Sequence, residues 1–191
     1  MNRCGWAESH PLLTAYHDDE WGVATRERER LFEFLILEGM QAGLSWLSVL
    51  KRRSAYRSAF KGFNPEVVAA WPANAIDGLL QDAGLIRNRA KLAAAMSNAR
   101  AFLAVEAEFL GFDRYLQEMV GGRVIHHYGD LAEVPAHDAL SQRLSRDLGR
   151  RGFKFVGPTI CYSYLQAIGL VMDHVTTCFR YPILSESPVW P

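Results

Sequence analysis

The chain has 191 residues, of which 49% are hydrophobic and 22% charged, so it can bury one good core or two small lobes that share a cleft. Lysine plus arginine and aspartate plus glutamate number 21 each, so net charge gives no support for a nucleic-acid partner, and only a locally basic face could supply one. No apolar stretch is long enough to span a bilayer, no signal-peptide pattern opens the chain, and three widely spaced cysteines argue against a disulfide framework, so we expect a cytoplasmic protein with reduced thiols.

Helical signals dominate the first half of the chain. Apolar residues recur at helical spacing over residues 27–38, and Gly39 stands where that helix is expected to end. Ser45 can cap the next helix through its hydroxyl group. The pair Asn64-Pro65 predicts another helix start, because proline suits the first helical position.

Longer helices are predicted in the second half. Residues 88–109 are rich in alanine, leucine, methionine and glutamate and contain no proline or glycine, which favours one long helix. Two more helices are predicted over residues 137–151 and 159–168. Only residues 123–128 resemble a strand, so the predicted fold class is all-α. Residues 182–191, which contain several prolines, are predicted to form an irregular tail.

Basic residues cluster locally even though the formal net charge is zero. A basic face can follow a nucleic-acid backbone, and solvated helix faces would explain the same clusters equally well. The sequence alone leaves both interpretations open. The clusters are Lys51 to Arg53; Arg87, Arg89 and Lys91; and Arg143, Arg146, Arg150, Arg151 and Lys154.

Cysteine and histidine residues near the two ends of the chain form a candidate metal site. His174 and Cys178 have a spacing that on a helix would place both side chains on one face. Cys4 and His17 supply a second pair, and two thiolates with two imidazoles make a closed tetrahedral set for structural zinc. Such a site would tie the ends of the chain together. Ordinary burial explains the same residue types, and we adopt that interpretation for Cys161.

A glycine-containing turn joins the last two predicted helices near residues 150–159. Gly152 and Gly157 let the backbone approach a phosphate closely, and amides at the start of the following helix, near Thr159, can bind that phosphate. Lys154 would add sequence-independent attraction to a duplex backbone. The pattern looks like a helix-hairpin-helix, although the same residues could simply join two packed helices.

The N-terminal third contains a group of aromatic residues beside an acidic one. Glu38 ends an otherwise apolar helix, where a buried carboxylate is rarely tolerated without a partner. Aromatic faces and a carboxylate together suit a flat, polar or cationic ligand, such as a nucleobase flipped out of a duplex. The following turn, with Gly43 and Leu44, could insert into the vacated base stack. The aromatic residues are Trp6, Tyr16, Trp21 and Trp46.

Several motifs in the chain are long enough to be specific. They are residues 3–6 (Arg-Cys-Gly-Trp), 16–22 (Tyr-His-Asp-Asp-Glu-Trp-Gly), 37–46, 151–157, and 173–175 together with Cys178. Together they resemble the bacterial 3-methyladenine DNA glycosylase I family. The resemblance extends from about Arg3 to Cys178 and so covers nearly the whole chain.

The resemblance implies the fold of a helix-hairpin-helix DNA glycosylase, with two helical lobes, a base-binding cleft between them, and a structural zinc that ties the chain ends. We expect a single glycosylase domain over residues 1–181, with interleaved lobes and the hairpin near 150–159. The implied activity is hydrolytic excision of 3-methyladenine from double-stranded DNA that contains alkylated bases. We expect the protein to act as a monomer.

The resemblance also assigns roles by position. Glu38 would hydrogen-bond the methylated adenine, Tyr16 and Trp46 would stack on it, and Trp6 and Trp21 would complete the pocket wall. The implied DNA-contacting residues are Gly43, Leu44, Gly152, Lys154, Gly157 and Thr159. The implied zinc ligands are Cys4, His17, His174 and Cys178.

Some alternatives stay open at this point. Asp173 is the alternative catalytic residue, because many relatives place a catalytic aspartate downstream of the hairpin, yet it also adjoins a predicted zinc ligand. No lysine stands where a strand-cleaving relative would form a Schiff base, so we expect hydrolysis only. The main rival function is a non-catalytic, zinc-stabilised module that binds damaged or bent DNA. A third interpretation is an enzyme that acts on another purine lesion.

Overall fold

The computed structural model describes residues 1–186 of the chain. Within these residues the protein is mostly helical, and its one sheet has two short strands. The α-helices are α1 (Pro11–Asp19), α2 (Arg28–Gln41), α3 (Trp46–Leu50), α4 (Arg53–Ala59), α5 (Pro65–Ala69), α6 (Ala75–Leu79), α7 (Arg89–Phe109), α8 (Phe112–Val120), α9 (Ala139–Arg150), α10 (Pro158–Ala167) and α11 (Arg180–Ser185). The 3-10 helices cover Gly5–Ser9, Lys61–Phe63 and Leu131–Glu133, and the strands are β1 (Val124–Ile125) and β2 (Val171–Met172).

Helix starts follow the capping residues in the sequence. The Ser45 hydroxyl accepts a hydrogen bond from the Ser48 amide at 3.3 Å, as predicted for the start of α3. The Asn64 side chain accepts from the Val67 amide at 2.9 Å and so caps α5. Asn88 caps α7, which runs unbroken for 21 residues and confirms the predicted long helix.

Helix α2 continues past the residue that was expected to end it. The sequence predicted a stop at Gly39, but the helix runs on to Gln41. A Cβ atom at Gly39 would lie 3.4 Å from the Cβ of Phe155, so the glycine serves close packing instead of termination. The chain turns at Gly43, two residues after the helix ends, and its φ of +76° is a conformation that favours glycine.

Helix α2 also forms the centre of the core. Every residue from 31 to 40 is buried, and the helix packs against α3, α7, α8 and α10. Phe32 meets Phe102 of α7 with ring centroids 5.2 Å apart. A helix surrounded on all sides needs no polar face, which explains its almost continuous apolar sequence. The same burial carries Glu38 into the interior of the protein.

The predicted strand pairs with a segment that the sequence did not reveal. Strand β1 runs parallel to β2, with Val124 opposite Val171 and Ile125 opposite Met172. The prediction of an all-α fold therefore needs one correction, because the described residues include this two-residue ladder. The ladder matters for the site because β2 leads directly into His174.

The segment after Tyr181 differs from the irregular tail predicted for residues 182–191. Helix α11 includes Pro182 in its first turn, where the missing amide hydrogen costs nothing. Leu184 is buried, and its carbonyl accepts a hydrogen bond from Arg123, so tertiary contacts hold this helix. Residues 187–191 of the predicted tail lie outside the described residues. Through residue 186, no helix is both long and apolar enough to cross a membrane.

Candidate active site and metal centre

The four predicted aromatic residues come together at one site. Tyr16 lies on α1, Trp46 opens α3, and Trp6 lies in the first 3-10 helix. The ring centroids of Tyr16 and Trp46 are 5.2 Å apart. Trp6 stands edge-to-face with Trp21 at 5.1 Å and lies 6.3 Å from Tyr16. Four segments of the N-terminal quarter therefore form one aromatic wall.

Glu38 is buried close to this wall. The residue is 2% exposed, and its Oε2 atom has no hydrogen-bond partner among the described residues. Burial raises the pKa of Glu38 to about 8. The pKa of Tyr16 is raised as well, first by its own burial and then by the negative charge of Glu38, so the two side chains lie within electrostatic reach.

Trp46 presents the complementary group. Its indole Nε1 is buried and has no acceptor within the described part of the chain. Buried polar atoms are nearly always hydrogen-bonded, and leaving one unpaired costs about 1–3 kcal/mol. An unpaired acceptor and an unpaired donor therefore suit a ligand that supplies one of each. The carboxylate and the aromatic faces both favour a ligand that carries positive charge.

Asp173 is in a different situation, because protein groups already occupy its carboxylate. Its Oδ2 atom accepts hydrogen bonds from the Tyr162 hydroxyl at 2.6 Å and from the Gln166 amide at 2.7 Å. Its Oδ1 atom lies 2.6 Å from Nδ1 of His126. These contacts join α10, the residue after β1 and the segment after β2, so Asp173 has the surroundings of a structural residue.

The four predicted metal ligands converge and are all buried, with their ligand atoms within 4.8 Å of one another. The Cys178 sulfur lies 3.4 Å from Nε2 of His17 and 3.5 Å from Nδ1 of His174. The Cys4 sulfur lies 3.7 Å from Nδ1 of His174. The spacing of His174 and Cys178 would suit a helix, but a helix is not what brings these two residues together. They lie in a turn after β2, where the Cys178 amide donates to the Val175 carbonyl at 2.8 Å.

Neighbouring groups orient the two imidazoles, and the sequence did not single these groups out. Asp18 Oδ1 lies 2.8 Å from Nδ1 of His17, which turns Nε2 toward the thiols. Asp18 is held in turn by Arg3, through Nε at 2.9 Å and Nη2 at 2.7 Å. Nε2 of His174 donates to the Trp21 carbonyl at 2.9 Å, which leaves Nδ1 as the ligand atom.

The cluster fits a tetrahedral zinc ion. Bond lengths of about 2.3 Å to sulfur and 2.0–2.1 Å to nitrogen place a sulfur and a nitrogen ligand about 3.5 Å apart. Three of the four sulfur–nitrogen pairs lie 3.4, 3.5 and 3.7 Å apart, and all four ligand atoms lie within 4.8 Å of one another. Burial lowers the pKa of His17, and it lowers that of His174 to about 3, so both imidazoles are in the neutral form that binds metals. Burial raises the pKa of Cys4 to about 12, so a bound cation must displace its proton.

The metal cluster directly supports the aromatic wall. The His174 ring lies 4.6 Å from the Trp21 ring, and the His17 ring lies 5.4 Å from the Trp6 ring. Tyr16 precedes His17 on α1. The two sites therefore share a boundary.

The segments predicted to contact DNA are exposed. Leu44 is 45% exposed at the turn after α2. The turn between α9 and α10 contains Gly152, with a φ of +93°, and Phe155, a residue other than glycine with a φ of +55°. Other exposed residues of these segments are Gly43, Lys154, Gly157 and Thr159.

Several cations of the predicted basic clusters have partners within the protein. Arg53 is buried and ion-paired with Glu33 at 2.9 Å, so it does not belong to a DNA-facing surface. Arg151 is paired with Asp147 at 2.7 Å. Lys91 is buried and donates to backbone carbonyls, a role that its position in a basic cluster did not indicate. Glu33 and the Met40 carbonyl come from segments distant in the sequence, so helix boundaries alone cannot reveal these two contacts, whereas Asp147 lies one turn before Arg151.

Comparison with known proteins agrees with this arrangement. Residues 6–181 match the methyladenine glycosylase family. The chain is 48% identical to DNA-3-methyladenine glycosylase 1 of Escherichia coli (strain K12), over 95% of this chain and 98% of the relative. A crystal structure of a 3-methyladenine DNA glycosylase I has a TM-score of 0.91 at 47% identity and covers 95% of this chain and 100% of its own. The Staphylococcus aureus enzyme, solved to explain 3-methyladenine recognition, has a TM-score of 0.91 at 36% identity and covers 95% of this chain and 97% of its own.

Proposed function

Because the chain belongs to the methyladenine glycosylase family, we propose that it is a DNA glycosylase that hydrolytically excises 3-methyladenine from alkylated duplex DNA. The observation that carries the proposal is the buried, unpartnered Oε2 of Glu38 beside an aromatic wall. A carboxylate in that position is costly to the fold. A cationic base held between aromatic faces offsets that cost.

The recognition chemistry follows from the groups present. The cationic base favours the ionised form of Glu38, which accepts a hydrogen bond from the amino group of the methylated adenine and balances the positive charge of its ring. Tyr16 and Trp46 offer aromatic surface to the base, and the Trp46 indole N–H, which has no acceptor among the described residues, can donate to a ring nitrogen. Trp6 and Trp21 close the pocket on the side of the metal cluster.

The reaction itself needs little acid catalysis. Methylation at N3 makes the base cationic, so when the C1′–N9 bond breaks, its electron pair neutralises the ring and a neutral base leaves. Water then forms the new bond to C1′ and loses a proton to solvent. The protein binds the cation selectively and stabilises an oxocarbenium-like sugar, which is work for positioned charge and dipoles.

Glu38 suits this role better than Asp173. Asp173 already accepts two hydrogen bonds and lies against His126, so it offers a ligand no free oxygen of the kind that Glu38 has. Of the four lysines in the chain, Lys91 donates to backbone carbonyls, and the other three, Lys51, Lys61 and Lys154, are exposed. Hydrolysis without a Schiff base is consistent with that arrangement.

We also propose that Cys4, His17, His174 and Cys178 hold one structural zinc ion. The proposal rests on the sulfur–nitrogen distances and on the two imidazoles, which are neutral and oriented by their neighbours. Four protein ligands complete the coordination of a tetrahedral zinc ion, so the ion stabilises the two ends of the chain and activates no water.

The DNA is proposed to lie across two exposed segments. In this proposal α9, the turn and α10 act as a helix-hairpin-helix whose Gly152, Lys154, Gly157 and Thr159 meet phosphates. Leu44, beside Gly43, enters the stack that the flipped base leaves. The pocket would then lie between two lobes of one domain spanning residues 1–181.

Release of free base from methylated duplex DNA tests the proposal. We expect the wild-type chain to release 3-methyladenine, identified by chromatography, and Glu38→Gln to release it roughly tenfold to hundredfold more slowly. The matched control is Glu29→Gln, because Glu29 is an exposed residue at the other end of α2. A chain that binds the damaged duplex but releases no base is a binding module, and a chain that releases only other purines acts on a different lesion.

A further inference from the structure

Lys91, on the first turn of α7, holds the end of α2. Its ammonium group donates to the Met40 carbonyl at 2.8 Å and to the Ala42 carbonyl at 2.6 Å. The residue is 6% exposed. Carbonyls at the end of a helix have no partner within the helix, so this lysine both satisfies them and fixes the direction of the turn that follows. That turn carries the exposed Leu44.

Asn98 holds the hairpin from the same helix. It lies two helical turns after Lys91, on the same face of α7. Its side chain donates to the Lys154 carbonyl at 3.0 Å and accepts from the Lys154 amide at 2.8 Å. The next residue, Phe155, has a φ of +55°, which is strained for a residue other than glycine, and the paired hydrogen bonds stabilise it.

The two anchors are connected. The Lys91 ammonium lies 6.0 Å from the centre of the Phe155 ring. Packing of Phe155 against Gly39 brings the hairpin onto the last turns of α2. Helix α7 thus holds both exposed segments through adjacent buried polar groups.

We propose that Lys91 and Asn98 are positioning residues that set the distance between the turn carrying Leu44 and the hairpin carrying Lys154. The inference rests on the proposed function. Duplex DNA is stiff, so a side chain that enters the base stack must do so at a fixed distance from the phosphates held by the hairpin. A misplacement of about 1 Å far from the reacting bond can slow an enzyme on the order of a hundredfold.

The test compares one lesion in two contexts. Single-turnover release of 3-methyladenine is measured for Lys91→Met from methylated duplex DNA and from the same strand in single-stranded form. We expect release from the duplex to slow on the order of tenfold or more, while release from the single strand changes little, because only the duplex needs an inserted side chain. Affinity for free 3-methyladenine, followed by tryptophan fluorescence, should stay at the wild-type value.

A double-mutant cycle with Leu44→Ala shows whether Lys91 acts through the turn. In the Leu44→Ala background, Lys91→Met should add little to the loss from duplex DNA. Lys61→Met is the control for lost charge, since Lys61 is exposed and lies on a separate 3-10 helix. Lys91→Gln, which keeps an amide donor, replaces Lys91→Met in the same comparison if the methionine variant does not fold.

The proposal is overturned if Lys91→Met slows release equally from duplex and single-stranded DNA, or if the affinity for free 3-methyladenine falls together with the release rate. It is overturned as well if the losses from Lys91→Met and Leu44→Ala are additive in the double variant. It is also overturned if release from the duplex is unchanged. The wild-type chain in the same assay reports separately on the proposed function, because absence of any base release from either DNA refutes that function and this inference together.

Discussion

Glu38→Gln is expected to stabilise the protein while it impairs the site. In the folded chain burial raises the pKa of Glu38 from 4.5 to about 8, so the folded state favours the protonated carboxyl group. The contribution of this carboxyl group to the free energy of unfolding is fully present below pH 4.5 and is lost as pH rises through about 8. Each pH unit above the pKa of the unfolded state removes about 1.36 kcal/mol from the free energy of unfolding, so the loss at pH 7 is about 3 kcal/mol.

Urea unfolding of the wild-type and Glu38→Gln chains between pH 6 and pH 8 measures this effect. Other groups titrate equally in both chains, so the difference in unfolding free energy isolates Glu38. We expect the variant to be more stable at pH 7 and its advantage to grow by about 2 kcal/mol from pH 6 to pH 8. A difference that is independent of pH, or a less stable variant, would falsify the claim that Glu38 is buried without a partner.

Three further predictions concern the metal, the hairpin and the second carboxylate. Metal analysis of the purified chain should give about one zinc per chain, and Cys178→Ser should lose that zinc and lower Tm. Unchanged metal content after the substitution rules out the proposed ligand set. Lys154→Ala should weaken binding to damaged and undamaged duplex alike, and it should reduce by about one the slope of log affinity against log salt concentration, measured by titration at several salt concentrations. An affinity and a slope at the wild-type values would show that Lys154 does not face the DNA backbone. Asp173→Asn should destabilise the fold, because Tyr162 and Gln166 lose a charged acceptor, yet this variant should excise base better than Glu38→Gln in the same release assay. If Asp173→Asn retains zinc but no longer excises base, while Glu38→Gln excises normally, Asp173 is the catalytic carboxylate.

Local sequence signals predicted much of the helical framework. Asn88 and Ser45 are capping residues, and their side chains accept the hydrogen bonds that start α7 and α3. Gly39 gave the wrong helix end because a glycine inside a helix can be required by close packing, which depends on Phe155, a residue far away in sequence. Strand β2 was missed because a two-residue ladder has no periodicity of its own.

The candidate site was predicted from residue types more than from geometry. Cys4, His17, His174 and Cys178 were a candidate set because two thiolates and two imidazoles suit zinc, and the resemblance to the glycosylase family made that set an expectation, although a turn and not a helix carries two of them. Residues that orient others were missed, as Asp18 and Lys91 illustrate. Their roles depend on hydrogen bonds to partners that only the folded chain brings within reach. For Asp18, its place directly after a metal-ligand histidine was the one available signal.

The clasp between residues 2–17 and residues 174–179 constrains the order in which the protein can fold. His17 and the Cys178 sulfur come within 3.4 Å, and the Phe179 amide donates to the Asn2 carbonyl at 2.9 Å. Contacts between such distant segments close a very long loop, and they form late because the entropy of closure must first be overcome. Trp6 and Trp21 pack on the clasped histidines, so a nascent chain on the ribosome lacks part of the support of its aromatic wall until residues 174–178 have emerged.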